Sequence, residues 1–139
     1  MAVFEVKIPG WVSAAGHLGL MPVGIFSGGE KHMFEHASRV YPVYFAFPYR
    51  KEDDVTVELP AGWKVSRLPR NQNQNAKAAE YILKIEDKGS TVHLTRTVRS
   101  DVVIIPTSSY PVLRQFYQVV RSGDEQQIVL QPGGIAAGN

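Results

Sequence analysis

The sequence predicts a mainly β protein, an antiparallel β-sandwich of immunoglobulin-like two-sheet architecture carrying one short helix near Pro111–Arg121. Two observations lead there. Apolar and polar residues alternate through many short runs, the period of a strand with one buried face, and about seven or eight such runs are separated by turn-forming residues. The period changes once, between Leu113 and Val120, to that of an amphipathic helix. A partly closed barrel is the other architecture that fits these signals.

In chain order, Phe4, Val6 and Ile8 alternate with Glu5 and Lys7 until Pro9-Gly10 stops the run. Leu18 to Phe26 is apolar but holds Pro22, which cannot donate to a ladder and so places this strand at an edge or a bulge. Ser27 to Lys31 reads as a turn. Arg39 to Phe47 is dense in β-branched and aromatic residues and is expected to be a strand. Arg50 to Asp54 is expected to be a polar connection. Val55, Val57 and Leu59 then alternate with Thr56 and Glu58, Pro60-Ala61-Gly62 suits a tight turn, and Trp63, Val65 and Leu68 start a return strand, so Asp54 to Leu68 reads as a hairpin.

Arg70 to Ala79, with its Asn and Gln run, has no apolar period and is expected to be a mobile loop. Tyr81, Leu83 and Ile85 resume the alternation, Asp87-Lys88-Gly89 turns the chain, and Val92, Leu94 and Val98 mark the partner strand. Val102 to Ile105 is a short strand ended by Pro106. Leu113, Phe116, Tyr117 and Val120 form the helical stripe, with Pro111 suited to the first turn and Gly123 placed as a left-handed C-terminal cap. Gln127 to Leu130 reads as a closing strand. Residues 1–132 are thus expected to form one domain, and 133–139 a disordered tail.

Composition narrows the functional classes. A chain of 139 residues can bury a core without disulfide or metal support. It has no cysteine, which excludes thiol nucleophiles and thiolate metal sites. Fifteen Lys and Arg are interleaved with thirteen Asp and Glu, without the basic stripe that nucleic-acid binding needs. No apolar run approaches the length of a membrane helix, so membrane insertion is not expected, and no signal peptide is evident. No cofactor is expected.

Each chemical candidate has a bland counterpart. His32 and His36 have the spacing of a zinc-gripping pair only on a helix, and the glycines before them and the β-like run after them argue against one, leaving solvated loop histidines. Asp53-Asp54 reads as a solvated turn, since neighbouring strand carboxylates point to opposite faces. Ser108-Ser109 lacks a nucleophile elbow, and His93 has no evident acid partner. Arg96 shares the register of Val92, Leu94 and Val98, so it is expected to point inward and to need a carboxylate or carbonyl partner. Trp11 and Trp63, each just after a turn signal, are the residues expected to offer a contact surface, for protein or for glycan. The bland reading of both indoles is packing.

The strings Arg39-Val40-Tyr41-Pro42-Val43, Asp54-Val55-Thr56-Val57-Glu58-Leu59-Pro60-Ala61-Gly62-Trp63-Lys64-Val65, Leu68-Pro69, Leu94-Thr95-Arg96 and Tyr110-Pro111-Val112-Leu113-Arg114-Gln115-Phe116 together resemble a known domain. It is the C-terminal β-sandwich domain of unknown function that follows the transglutaminase-like, papain-related core of bacterial multidomain proteins. The similarity runs from about Arg39 to Leu130 and carries no catalytic signature. It implies an accessory domain whose partners are the adjacent domains of a longer parent chain, with the Cys/His/Asp chemistry in the central domain and the parent exported to the periplasm or cell surface. An independent carbohydrate- or peptide-binding module is the alternative expectation.

Overall fold

A computed structural model describes Glu5, residues 9–27 and residues 33–133. Its strands are β1 (Ser13–Ala15), β2 (Leu18–Pro22), β3 (Val43–Tyr44), β4 (Tyr49–Glu58), β5 (Trp63–Arg67), β6 (Gln72–Asn75), β7 (Ala79–Asp87), β8 (Thr91–Ser100), β9 (Ile104–Ile105) and β10 (Gln127–Pro132). A 3-10 turn, Thr107–Ser109, leads into helix α1, Tyr110–Asp124. The strands form one sheet in the order β1-β2-β10-β5, a second in the order β4-β8-β7-β6, and a ribbon of β3 and β9, with every pairing antiparallel. The mainly β, sandwich-like class expected from the sequence is the one observed. No described helix is long and apolar enough to cross a membrane.

The second sheet shows why the alternation was legible. On β8, Val92, Leu94, Arg96, Val98 and Ser100 are buried, while Thr91, His93, Thr95, Thr97 and Arg99 between them face outward and are half-buried. Tyr81, Leu83 and Ile85 of β7 pair with Val98, Arg96 and Leu94, so the inward rows are continuous across the two strands. Helix α1 buries Tyr110, Leu113, Phe116, Tyr117 and Val120 in the same core as Met21, Val23, Ile128 and Leu130. Its C-terminal half bears on the central strands β7 and β8 through Gly123, which abuts Tyr81, and Asp124, which bonds Arg96. It therefore sits on the sheet's inner face.

Several elements differ from expectation, each for a physical reason. Arg50 to Asp54 is no connection but the first half of β4, a ten-residue strand paired with β8 from Tyr49↔Ser100 to Glu58↔Thr91. β4 lies at the sheet margin, and charge is what keeps an open margin from pairing with other chains. The Asp54–Leu68 hairpin does not form. The turn does, with the Trp63 N–H donating to the Pro60 carbonyl and Gly62 at φ +81° supplying the conformation its third position needs. Leu59 prolongs the β4–β8 pairing by donating to Ser90, whereas β5 crosses to the other sheet and pairs with β10.

The Arg39–Phe47 strand shrinks to Val43–Tyr44, because its partner Ile104–Ile105 is itself only two residues long before Pro106. β-propensity is expressed only where a partner edge exists. Within the expected Arg70–Ala79 loop, Gln72–Asn75 forms an edge strand on β7, and the Asn71 side chain accepts the Ile85 N–H at 2.9 Å. Edge pairing through the main chain needs no apolar period.

Gly123 is not a left-handed cap; it lies within α1, with Glu125 as the C-cap. A Cβ at Gly123 would stand 2.3 Å from the Tyr81 hydroxyl, so the glycine is there for close approach. Gly133, assigned to the tail, donates its N–H to the Gly62 carbonyl. The expected Phe4–Ile8 strand and the remainder of the tail fall outside the described residues, apart from Glu5.

Candidate functional site

Beneath α1, three strands and the helix bring polar groups together inside the core. Arg96 projects from the middle of β8 with only 4% of its side chain exposed. Its Nε donates to Asp124 Oδ1 at 2.7 Å and its Nη2 to Oδ2 at 2.6 Å, a two-pronged fork onto one carboxylate. Nη1 reaches Asp53 Oδ2 at 3.4 Å, and the Tyr81 hydroxyl donates to Asp124 Oδ1 at 3.0 Å.

Burial disfavours the Arg96 charge, but the hydrogen bonds and field of Asp124 outweigh it and raise the guanidinium above its ordinary value. Burial, reinforced by the Asp124 charge, likewise raises the Tyr81 phenol. Both groups are thereby locked in the protonated form. The charged Arg96 guanidinium thus ties β8 to the end of α1 through Asp124.

The inward, carboxylate-seeking Arg96 is thus observed as expected. Its main partner, Asp124, was not singled out in the sequence; the demand of Arg96 was the only signal that one existed. Asp53 is half-buried in a strand and turned to Arg96, which corrects the solvated-turn reading. Asp54 points to the opposite face, where it meets His93 Nε2 at 2.7 Å. Glu86 Oε2 lies 3.5 Å from His93 Nδ1, so this histidine has two acid neighbours where none was evident. They come from the flanking strands β4 and β7, which linear sequence does not place beside β8. Lys84 hydrogen-bonds Glu86 and holds its carboxyl below the usual carboxylate range.

Beside the Arg96 node opens a cleft of about 510 Å3 between α1, β4 and the chain around residues 33–35 and 45–47. Its apolar wall is a ring cluster. Phe34 and Tyr117 have centroids 5.1 Å apart, Phe45 lies 6.4 Å from both Tyr49 and Tyr117, and the Tyr49 and Tyr117 hydroxyls are hydrogen-bonded. Phe34 holds φ at +63°, a conformation a bulky residue adopts only where packing enforces it. Two residues of the lining each hold a buried polar atom without a hydrogen-bond partner among the described residues, Arg114 Nε and Ser27 Oγ. Neither residue was a candidate from sequence.

The ribbon forms a second feature. Val43 and Ile105 point inward and are buried, while their neighbours and mutual register partners Tyr44 and Ile104 are 69% and 55% exposed. Val40 and Tyr41 just before the ribbon, and Val103 beside Ile104, are exposed as well. Phe45 is tied to this strip by its N–H, which donates to the Val103 carbonyl.

The candidate contact residues Trp11 and Trp63 are both half-buried and packed against the core, and neither lines the cleft. Their segments converge over Gly19, where a Cβ would meet Val12 at 3.2 Å and the Trp63 ring at 3.3 Å. Of the proposed histidine pair, His36 is exposed and its carbonyl accepts the Tyr110 hydroxyl, while His32 lies outside the described residues. Among the described residues no group of three or more His, Asp or Glu side chains is placed to hold a metal.

None of the curated proteins compared matches the sequence. The fold is similar to a crystal structure described as "a putative protease" from Parabacteroides distasonis ATCC 8503, with a TM-score of 0.69 and 16% identity over 84% of this chain. The match spans 24% of that longer chain. Residues 17–130 match the family described as a domain of unknown function with a solved structure, DUF3858, and the chain belongs to that family.

Proposed function

We propose that this chain is a non-catalytic accessory domain of a longer polypeptide and that the β3–β9 ribbon is the face it presents to a neighbouring domain. The carrying observation is the pair Tyr44 and Ile104, large apolar side chains that are register partners and both turned to solvent. With Val40, Tyr41 and Val103 they make an apolar strip, and contiguous exposed apolar surface marks an interaction site on a stable domain. The likeness to about a quarter of a much longer chain supports a covalently linked neighbour as the occupant.

The absence of cysteine supports placing the chemistry of a transglutaminase-like parent outside this domain. His93 supports it too, since both its ring nitrogens lie beside carboxylates, leaving none to activate a serine. An exported parent belongs to the same reading. The test is a photo-crosslinking residue at position 44 in the parent polypeptide, with a matched residue at Thr95 on the outer face of β8 as control. Crosslinks from position 44 to a preceding domain are expected. Equal yields from the two positions would remove the docking role.

A further inference from the structure

We infer that the cleft under α1 is a binding site for a carboxylate carried on an apolar body, with Arg114 as its anchor. The inference goes beyond the docking role, because the cleft and the β3–β9 strip are different surfaces and either can fail alone.

The cleft volume of about 510 Å3 lies within the range of small-ligand and side-chain pockets. Phe34, Phe45, Tyr49 and Tyr117 supply an aromatic wall, and Phe47, 67% exposed, stands on the lining open to solvent. This surface suits an aryl or alkyl group. The polar chemistry comes from Arg114. Its Nη2 reaches the Glu35 carbonyl at 3.4 Å, longer than a normal bond of this type, and its Nε is buried without a partner. Among the described residues no carboxylate is paired with this guanidinium, whereas Arg96 is engaged by Asp124 and Arg121 by Glu125 at 2.9 Å. A buried guanidinium N–H without an acceptor is costly, so an incoming oxygen that satisfies it is favoured.

Charge fixes the ligand class. Among the described residues, four cationic and three carboxylate side chains line the cleft, an excess of one positive charge. That balance matches a monoanion; a doubly charged phosphate would meet three carboxylates with too little compensation. A carboxylate also fits the planar fork of arginine, with Ser27 Oγ as a further unsatisfied group on the same lining. Two sources share this chemistry, a peptide ending in an apolar residue and a free organic acid.

The test follows the Arg114 Nε–H resonance of the 139-residue protein during titration with 3-phenylpropionate, its amide, and N-acetyl-Ala-Ala-Phe as free acid and as C-terminal amide. For 3-phenylpropionate a saturable shift with Kd on the order of 1 mM is expected, with at least about tenfold weaker binding of the amide. Peptide acid binding about tenfold tighter than 3-phenylpropionate identifies a peptide terminus as the source, and equal or weaker binding a free acid. Arg114→Met is expected to weaken binding about tenfold or more while Phe47→Ser, at the exposed position, weakens it less. The inference is overturned if the wild-type Nε–H does not move, if acid and amide bind alike, or if folded Arg114→Met binds as the parent does. The wild-type titration alone decides the matter should the arginine variant not fold.

Discussion

Arg96 of β8 grips Asp124 at the end of α1 through two parallel hydrogen bonds of 2.7 and 2.6 Å, so one buried fork joins the middle of a sheet to the last residue of the helix. Two further strands contribute nearby, Asp53 from β4 and Tyr81 from β7, and in the segment just after β2 the Gly24 N–H donates to the Asp124 carbonyl. Asp124→Ala leaves a buried guanidinium with only the 3.4 Å contact to Asp53 and is expected to destabilise the domain by about 3–5 kcal/mol. The double substitution Arg96→Met/Asp124→Leu removes both charges and is expected to recover most of that loss. Urea unfolding of the three proteins measures both; a loss below about 1 kcal/mol for Asp124→Ala would show that water already solvates the pair.

Gly123→Ala reverses the usual helix rule. Alanine within a helix normally gains about 1 kcal/mol over glycine. Here the added methyl would stand 2.3 Å from the Tyr81 hydroxyl and 2.9 Å from its Cε1. Overpacking of this kind costs about 1–3 kcal/mol, so a net loss is expected. Combining it with Tyr81→Phe removes the nearest clash but not the ring contact, and the two effects are expected to be less than additive in thermal unfolding.

Tyr81 also gives the fold an alkaline limit. Burial, then the Asp124 charge, raises its phenol in the folded state, while the unfolded chain ionises it near pH 10. The folded form therefore keeps a proton that the unfolded form releases. Its stabilisation is complete below about pH 10 and falls as pH rises beyond that, by up to about 1.4 kcal/mol per pH unit. Tyr81→Phe is expected to be less stable at neutral pH by about 1 kcal/mol through the lost hydrogen bond, yet to show a shallower decline above pH 10. Urea midpoints across about pH 8–11 compare the slopes, and parallel curves would refute the linkage.

Adjacent residues of the ribbon should behave as opposites. Ile105 is 7% exposed and Ile104 is 55% exposed. Ile105→Ala is expected to cost about 2–5 kcal/mol by leaving a core cavity. Ile104→Glu should change stability by no more than about 0.5 kcal/mol. The same Ile104 substitution should abolish the position-44 crosslink in the parent polypeptide, separating docking from folding.

Local periodicity and its punctuation were readable from the residues alone. β7, β8 and β10, the Asp87–Gly89 turn and the α1 stripe were legible because each buries one face, and a buried face imposes its period on the residues. The inward direction of Arg96 followed from the same register. Tertiary structure alone decided the partners. β5 leaves β4 for β10, the polar β6 is a strand only because β7 offers it an edge, and the charged start of β4 extends because β8 lies alongside. Asp124, His93 with its two acids, and Arg114 acquire their roles from elements distant in sequence. Pairing and charge compensation are long-range properties, whereas side-chain alternation is carried by each segment on its own.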